Sequence, residues 1–180
     1  KHFPKTYLTV SSELLPAIRF YDRISTTALN SYVGPILRSY LDSLVKRLKA
    51  AGYGGVLLIM QSNGGVISPG IAMDHAAVTL LSGPAGGPVA GMVYTAVQGY
   101  DDCITVDMGG TSFDAALIKD RTPLLTTEGE VDRMRLALPM LGIVTIGAGG
   151  GSIGWIDEGG LLRMGPKSAG AKPGPACYGF

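Results

Sequence analysis

Thr-Val-Asp-Met-Gly-Gly-Thr-Ser-Phe-Asp-Ala-Ala-Leu-Ile occupies residues 105–118 and is the most informative part of this sequence. An apolar strand, a glycine turn flanked by carboxylates and hydroxyls, and a second apolar strand follow one another, which predicts a β-hairpin. Gly109 and Gly110 lack a Cβ and tolerate positive φ, so backbone N–H groups can converge on an anion at close range. We therefore predict that this hairpin binds a phosphate group.

The side chains around the turn support the same interpretation. Asp107 ends the first strand and offers a carboxylate to Mg²⁺, normally through water, while the hydroxyls of Thr111 and Ser112 can donate to phosphate oxygens. Asp114 either caps the turn backbone or contacts the metal or water directly, and both roles stay open. The alternative is an ordinary tight hairpin whose glycines satisfy the turn and whose carboxylates are solvated.

Composition limits the function classes. The chain has 180 residues, 46% of them hydrophobic, and a formal charge of +1, so no overall field steers it toward nucleic acid or anionic lipid. No apolar run approaches the roughly 20 residues of a membrane span. Two cysteines form neither a disulfide framework nor a spaced zinc site, which fits a reducing compartment. We expect a globular chain located in the cytoplasm, without nucleic-acid or membrane partners.

Apolar runs that end in glycine-rich loops predict an α/β fold with ligands beyond the strand ends. The expected strands are 56–60, 78–81, 103–106, 113–118, 123–127, 143–146, 153–156 and 161–164, with 103–127 as an antiparallel meander. The expected helices run from Ser11 to about Asp22, from Thr26 or Thr27 to Gly52–Gly55 with a kink or split at Gly34-Pro35, near 69–75, and through the small residues up to Val97.

The order of these elements resembles the superfamily of actin, sugar kinases and seventy-kilodalton chaperone ATPases. In that superfamily a glycine- and alanine-rich connecting helix, here 84–97, is followed at once by the second phosphate hairpin, here 103–118. The resemblance implies a ribonuclease-H-like mixed sheet with flanking helices, partial or permuted in this chain, which strands 56–60 and 78–81 would join. Residues 1–55 would be a helical segment of the first half and 56–180 the sheet-containing part.

More narrowly, the chain resembles the hydantoinase A, 5-oxoprolinase and acetone carboxylase family. The strings that carry this resemblance are Tyr-Asp-Arg-Ile-Ser-Thr-Thr at 21–27, Met-Gln-Ser-Asn-Gly-Gly at 60–65, Leu-Ser-Gly-Pro-Ala-Gly-Gly at 81–87, Asp-Met-Gly-Gly-Thr-Ser-Phe-Asp at 107–114, Ile-Gly-Ala-Gly-Gly-Gly-Ser at 146–152 and the Gly-Pro-rich 165–179.

The family implies part of an ATP-dependent hydrolase that opens a cyclic amide of hydantoin or 5-oxoproline type by phosphorylating its carbonyl oxygen. ATP and Mg²⁺, or Mn²⁺, are the implied cofactors, and a hydantoinase B-type subunit or region is the implied partner; a homo-oligomer is also compatible. The alternatives are a carboxylase subunit of acetone carboxylase type, a sugar or acid kinase of the same superfamily, and a non-catalytic domain fragment.

The resemblance also assigns roles to residues. Asp107 and Asp114 would be catalytic, and Asp107 would also serve the metal. The nucleotide would contact Met108, Gly109, Gly110, Thr111, Ser112, Gly83, Gly86, Gly147, Gly149, Gly150, Gly151 and Ser152. The competing role for the two glycine clusters outside the hairpin is close helix or backbone packing. Gln61 and Asn63 would line the substrate cleft or, alternatively, satisfy backbone groups at a strand end.

The chain also departs from the family. The family's earlier Asp-x-Gly-Gly-Thr-x-Thr-Asp phosphate motif does not occur in it, and the sequence ends soon after its Cys-Tyr-Gly string. We therefore expect a fragment that carries one wall of the nucleotide cleft and that has little or no turnover alone, because in-line transfer needs groups on both sides of the phosphates. A nucleophilic role for Cys177 has no neighbouring histidine to support it.

Overall fold

The computed structural model describes residues 6–170, 172–175 and 179, and Cys177 lies outside them. The helices are α1 (Ser11–Leu14), α2 (Phe20–Ala50), α3 (Pro69–Asp74) and α4 (Gly86–Val97), and 3-10 turns span Ala76–Thr79 and Gly83–Ala85. The strands are β1 (Ile59–Met60), β2 (Val66–Ile67), β3 (Cys103–Met108), β4 (Phe113–Lys119), β5 (Thr122–Pro123), β6 (Leu125–Thr126), β7 (Gly129–Val131), β8 (Met134–Leu136), β9 (Met140–Leu141), β10 (Ile143–Ile146), β11 (Ser152–Ile156) and β12 (Leu162–Ser168).

The chain divides into two compact units. The first contains the residues up to Gly86 together with Leu125–Leu141, and the second contains Gly87–Leu124 with the residues from Gly142 onward. This division does not follow the boundary between 55 and 56, which was predicted for the halves of a larger ATPase and stays a prediction. The β3–β4 hairpin and the glycine loop 147–152 both belong to the second unit.

Helix α2 dominates the first unit and begins earlier than predicted, at Phe20, whereas α1 ends already at Leu14. Pro35 lies inside α2, so of the predicted kink or split the split is wrong, and the kink stays a prediction. A proline inside a helix costs about 3 kcal/mol. Burial of Leu29 and Leu41, one on each side of the proline, offsets that cost, because tertiary packing supplies most of the stability of a helix.

The C-terminal end of α2 follows the predicted glycine signal. Gly52 has φ +77°, which favours glycine, and its N–H donates to the carbonyl of Lys49 at 3.1 Å. The N–H of Tyr53 donates to the carbonyl of Leu48 at 3.0 Å. These two bonds form a Schellman motif, which satisfies carbonyls that the helix leaves unpaired.

The core of the first unit lies between α2 and the segment 125–141. It contains Leu14, Leu29, Ala77, Leu136, Leu138 and Met140. Fully buried Asn30 ties the helix to its surroundings, because its Nδ2 donates to Thr9 Oγ1 at 2.9 Å and its Oδ1 accepts from the N–H of Ala77 at 2.8 Å. The buried amide is thus hydrogen-bonded, as a buried polar group must be to avoid a large desolvation cost.

Two predicted buried strands are wrong. In the segment 56–60 only Ile59–Met60 is a strand; it pairs antiparallel with β2, and Val56 is 79% exposed. Residues 78–81 begin in a 3-10 turn, and Leu81 has φ +61°. A continuous apolar run indicates burial in a parallel sheet only where parallel partner strands flank it, and the described residues provide no parallel partner here.

The sheet of the second unit has the order β10-β4-β3, and β5 also pairs with β4. The predicted strands 103–106, 113–118 and 143–146 are confirmed with small boundary shifts. The expected strand 123–127 divides, because β5 pairs with β4 whereas β6 pairs with β9 in the first unit. Every pairing among the described strands is antiparallel, so the predicted single mixed sheet with 56–60 and 78–81 is wrong, while the mixture of helices and strands is as expected.

Helices α3 and α4 and the β11–β12 hairpin follow their predictions, whereas no strand was predicted at β7, β8 or β9. Helix α3 begins after Ser68, whose Oγ accepts from the N–H of Ile71 at 3.5 Å, and β11 and β12 form the expected hairpin. Helix α4 packs closely at Gly91, where an added Cβ would collide with the methyl group of Thr105. Within the described part of the chain, no helix combines the length and apolar character needed to cross a membrane.

Candidate phosphate-binding site

The turn of the β3–β4 hairpin lies where the sequence predicts it. Met108 pairs with Phe113 and Asp107 pairs with Asp114 in the antiparallel register. The N–H of Gly109 donates to the carbonyl of Ser112 at 3.1 Å and closes the turn. The N–H groups of Gly110 and Thr111 have no acceptor among the described residues.

The two carboxylates stand at the end of one face of the sheet. Side chains alternate between faces along a strand, so Thr105 and Asp107 share a face with their partners Ala116 and Asp114. Ala116 is buried on this face, whereas Asp107 is exposed and Asp114 half-buried. The packed part of the face therefore gives way to a polar end beside the turn.

The environments of the two carboxylates differ. Ser112 Oγ donates to Asp114 Oδ2 at 3.0 Å, and Thr145 Oγ1, on β10, donates to Asp114 Oδ1 at 2.5 Å. No hydrogen bond or ion pair joins Asp107 to any other described side chain. Asp114 is thus held in place, and Asp107 is free to bind water or a cation.

The glycine loop 147–152 packs its backbone directly on the hairpin turn. The N–H of Gly150 donates to the carbonyl of Gly109 at 2.9 Å, and the N–H of Gly151 donates to the carbonyl of Gly110 at 2.8 Å. Two loops that the sequence places about forty residues apart therefore form one structure. The N–H of Gly149 donates to Ser152 Oγ at 2.9 Å, so the donors of this loop largely serve the loop and the hairpin.

Glycine occupies positions in the loop 147–152 and in the hairpin turn for different physical reasons. A Cβ on buried Gly149 would stand 2.6 Å from the carbonyl oxygen of Gly109 and 2.8 Å from the N atom of Thr111, and one on Gly151 would stand 2.9 Å from the oxygen of Gly110. A Cβ on Gly109, Gly110 or Gly147 would meet open space. Neither hairpin glycine adopts positive φ, so their use here is to keep the surface of the turn free of side chains.

The other predicted site residues lie in the first unit. Asn63 Oδ1 accepts from the N–H of Gly65 at 2.8 Å, and the N–H of Gln61 donates to the carbonyl of Gly65 at 2.8 Å, so both residues serve their own turn. Gly83 and Gly86 begin a 3-10 turn and α4, and a Cβ on either would meet no atom within 4 Å. Close packing is therefore not the reason for glycine at these two positions in the described chain.

Sequence reasoning missed two residues of these regions. Ser62 is buried at 3% exposure, and its Oγ lies within hydrogen-bond distance of the carbonyls of Val78 and Leu80, which share its single proton. Nothing in the local sequence distinguishes such a serine from a solvated one. Thr145 was also missed, although a lone hydroxyl residue between apolar positions of a strand is a visible signal.

The two carboxylates, Asp107 and Asp114, fit a hard cation whose remaining ligands are water and phosphate oxygens. Among the described residues no group of three or more His, Cys, Asp or Glu side chains is placed to hold a metal ion. Two carboxylates next to an open, N–H-lined turn suit Mg²⁺ or Mn²⁺ that keeps its water and phosphate ligands, since Mg²⁺ usually binds through one or two carboxylates plus substrate phosphates.

The profile of one protein family, described as hydantoinase/oxoprolinase, matches residues 23–180. The chain belongs to the hydantoinase/oxoprolinase family. The resemblance drawn from the sequence motifs is thereby confirmed. The match includes both glycine loops and the hairpin, but it assigns no role to individual residues, so the site residues stay predictions.

Relatives within this family include enzymes with different names. The chain is 42% identical to the caprolactamase subunit alpha of Pseudomonas jessenii over 177 residues, which cover 98% of this chain and 25% of that protein. The crystal structure of the ATP-dependent caprolactamase from Pseudomonas jessenii matches with a TM-score of 0.84 and 40% identity over 99% of this chain and 26% of that one. A nucleotide-free structure of acetone carboxylase matches with a TM-score of 0.74 and 32% identity over 89% of this chain and 22% of that one.

The hydantoinase/oxoprolinase family members that match are much longer than the region matched. The chain spans about a quarter of the length of the caprolactamase and acetone carboxylase chains that it matches. The fold of the described residues is accordingly shared with these enzymes, while the activity, substrates and partners of a whole protein are matters of proposal.

Proposed function

We propose that this chain carries the phosphate-binding hairpin of an ATP-dependent enzyme that opens a cyclic amide. The observation that carries the proposal is the backbone packing of Gly149 and Gly151 on the hairpin turn, which leaves the outer surface of Gly109 and Gly110 open. That open surface lies beside an unpaired carboxylate, Asp107. A triphosphate end and its cation need this combination of free N–H donors and a free carboxylate.

The free donors identify which groups would hold the phosphates. The N–H groups of Gly110 and Thr111, the exposed hydroxyl of Thr111 and the hydroxyl of Ser112 are at the turn. The backbone from Met108 onward would follow the phosphate chain. Gly147, Gly149, Gly150, Gly151 and Ser152 would act mainly as the support that holds the turn, because their donors are largely used within the loops.

The carboxylates would act on the cation and on water. Mg²⁺ or Mn²⁺, when bound with ATP, neutralises the negative charge of the phosphoryl group during its transfer. Asp107 would bind the water shell of that ion, and Asp114, whose two oxygens accept from hydroxyls, would contact the same shell in a fixed orientation. Positioning and electrostatic stabilisation are the main sources of rate enhancement in phosphoryl transfer.

The proposed reaction follows from the poor reactivity of an amide. The carbonyl oxygen of the lactam attacks the γ-phosphorus, and ADP leaves. The resulting phosphorylated amide is a better electrophile, so water adds to its carbon and the ring C–N bond breaks, which leaves an acyl phosphate and a free amine. A second water then hydrolyses the acyl phosphate to the carboxylate and inorganic phosphate. The relative named ATP-dependent caprolactamase supports a cyclic amide as the substrate class, with hydantoin or 5-oxoproline as further candidates from the family description.

The wider architecture belongs to the same proposal. We propose an actin-like, ribonuclease-H-like parent fold in which α4 is the connecting helix, with Gly83 and Gly86 near the nucleotide and Gln61 and Asn63 near the substrate. A hydantoinase B-type partner and a cytoplasmic location complete it. The relative named as a subunit supports assembly with another chain.

A carboxylase is the second candidate, and one observation favours it. The match to acetone carboxylase, from a study of ATP-dependent acetone carboxylation, covers 89% of this chain. The same phosphate hairpin would then activate a ketone enolate or bicarbonate. The hairpin performs the same task in both candidates, so the second substrate, rather than ATP, distinguishes them.

The test measures ATP hydrolysis by the protein in its complete natural form with candidate substrates. Caprolactam, hydantoin or 5-oxoproline should stimulate hydrolysis, whereas acetone with bicarbonate should do so only if the carboxylase candidate is right. Asp107→Asn should lower the stimulated rate by about a hundredfold. Asp120→Asn is the matched control, because Asp120 is an exposed turn residue at φ +50° and asparagine tolerates that conformation. Equal rates for both variants would refute the assigned role.

A further inference from the structure

Asp114 is the only carboxylate of the hairpin whose two oxygens both accept hydrogen bonds in the part of the chain that the structure describes. Ser112 Oγ, from the turn itself, donates to Oδ2, and Thr145 Oγ1, from another strand, donates to Oδ1. A carboxylate bound by two donors on opposite oxygens has its side-chain rotamer fixed. The second donor thus comes from β10, whose position the hairpin sequence alone does not reveal.

Thr145, Asp114 and Asp107 form a row across three strands. Thr145 pairs with Asp114 in the β10–β4 register, and Asp114 pairs with Asp107 in the β4–β3 register. Residues directly opposite each other in antiparallel strands project on the same face, and like charges in such a pair destabilise the sheet. Hydroxyl donors on Asp114 partly offset the repulsion between the two carboxylates and leave Asp107 unpaired.

Thr145 also connects the carboxylate to the glycine loop. Strand β10 ends at Ile146 and leads directly into residues 147–152, which hold the hairpin turn through Gly150 and Gly151. A shift of this loop would therefore move Thr145 relative to Asp114. The hydroxyl joins the supporting loop to the acidic end of the site.

We propose that Thr145 is a positioning residue, which acts by orienting Asp114 so that the site accepts the nucleotide-bound cation in one geometry. This inference rests on the proposed function, and it adds a residue to which neither the family motifs nor the comparisons give a role. Removal of outer groups that orient a metal-binding carboxylate typically lowers metal affinity by about 10- to 100-fold.

The test measures Mn²⁺ affinity by electron paramagnetic resonance, on the complete protein with a non-hydrolysable ATP analogue. Thr145→Val removes the hydroxyl and keeps the shape, and it should weaken Mn²⁺ binding by about tenfold. Thr145→Ser keeps the donor and should bind Mn²⁺ like the wild type. If Thr145→Val folds poorly, Thr145→Ala replaces it, and the same loss of Mn²⁺ affinity is expected.

The matched control is Thr105→Val. Thr105 lies on the same face of β3, and its hydroxyl donates to the carbonyl of Ala116 at 3.4 Å rather than to a carboxylate. This variant should bind Mn²⁺ like the wild type. In an Asp114→Asn background, Thr145→Val should cause no further loss, because coupled residues are non-additive.

The outcomes separate the two levels of the proposal. If the wild type binds Mn²⁺ with the analogue and Thr145→Val binds it equally well, the positioning role is overturned while the phosphate hairpin stands. An equal loss in Thr105→Val, or a full further loss in the Asp114→Asn background, also overturns it. If the wild type binds neither ion nor nucleotide, the proposed function itself fails. Thermal unfolding without nucleotide should be alike for both valine variants.

Discussion

Two hairpins in this chain share a sequence signature but differ in what their polar groups do. In each, an apolar strand meets a turn with a Gly-Gly pair, Gly64-Gly65 in one and Gly109-Gly110 in the other. The turn between β1 and β2 uses its polar groups internally, because Asn63 accepts from the N–H of Gly65 and Ser62 is buried against neighbouring carbonyls. The turn between β3 and β4 leaves two N–H groups and one carboxylate without a partner among the described residues.

Under the proposed function, this difference separates a ligand-binding turn from a structural one. A turn whose donors and acceptors are all satisfied has nothing to offer a ligand, whereas exposed, unpaired donors on a rigid support can bind an anion without reorganisation. The support of the second turn is the buried pair Gly149 and Gly151. The following variants test the role of each turn.

The largest effect is expected from Gly149→Ala. The new Cβ would stand 2.6 Å from the carbonyl oxygen of Gly109 and 2.8 Å from the carbonyl carbon of Gly110, and backbone atoms cannot give way cheaply. We expect a loss of about 3 kcal/mol in the free energy of unfolding, together with weaker nucleotide binding. Gly147→Ala is the control, because its Cβ meets no atom within 4 Å. Equal unfolding free energies in urea would show that the two loops do not pack as described.

Ser62→Ala tests the structural hairpin. It leaves the carbonyl of Leu80 without the Ser62 hydroxyl and should lower the free energy of unfolding by about 2 kcal/mol. Nucleotide affinity of the folded protein should not change. Ser43→Ala, on an exposed part of α2, should have almost no effect on either quantity. If Ser62→Ala lowered nucleotide affinity and left stability unchanged, the β1–β2 hairpin would have a ligand role, which would contradict the structural role given to it here.

The variants Gly64→Ala and Gly110→Ala compare the two turns directly. Gly64 has φ +83°, so alanine there should cost about 1 kcal/mol of stability and leave nucleotide binding intact. Gly110 has neither positive φ nor a neighbour within 4 Å of an added Cβ, so alanine should leave stability intact and obstruct the open surface. Urea unfolding and calorimetric titration with a magnesium–ATP analogue measure the two effects. The comparison fails if both variants behave alike.

The smallest effect concerns a third turn, between β11 and β12, where a carboxylate satisfies the backbone. Hydrogen bonds from the N–H of Leu161 first, and from Arg163 second, lower the pKa of Asp157 below its usual value. A lowered folded-state pKa gives stability that is present above the unfolded-state pKa and is lost as the pH falls through the folded-state pKa.

Asp157→Asn should therefore be slightly less stable than the wild type at neutral pH, and the difference should shrink as the solution becomes acidic. Thermal unfolding across that range measures it, with Glu158→Gln as the control on the same turn. A difference that stays constant with pH would mean that the charge of Asp157 contributes nothing.

Much of the second unit was predictable because its signals are local. Alternating apolar residues and turn glycines indicated β3, β4, β10 and the β11–β12 hairpin. The errors lie where burial depends on distant partners. The run 56–60 has the composition of a buried strand, but none of its residues is buried. Pro35 stays within α2 because tertiary packing buries Leu29 before it and Leu41 after it.

The sequence by itself determined the family and the existence of the hairpin. Both depend on residue types and their order, because glycines, carboxylates and hydroxyls in this spacing have chemical properties that do not depend on distant contacts. Only the tertiary structure decided which polar groups remain free. It paired Asp114 with Thr145 and left Asp107 without such a partner among the described residues, and it placed the glycine loop 147–152 on the hairpin turn by backbone hydrogen bonds. These choices depend on strand register and on contacts between distant segments, which no local pattern specifies.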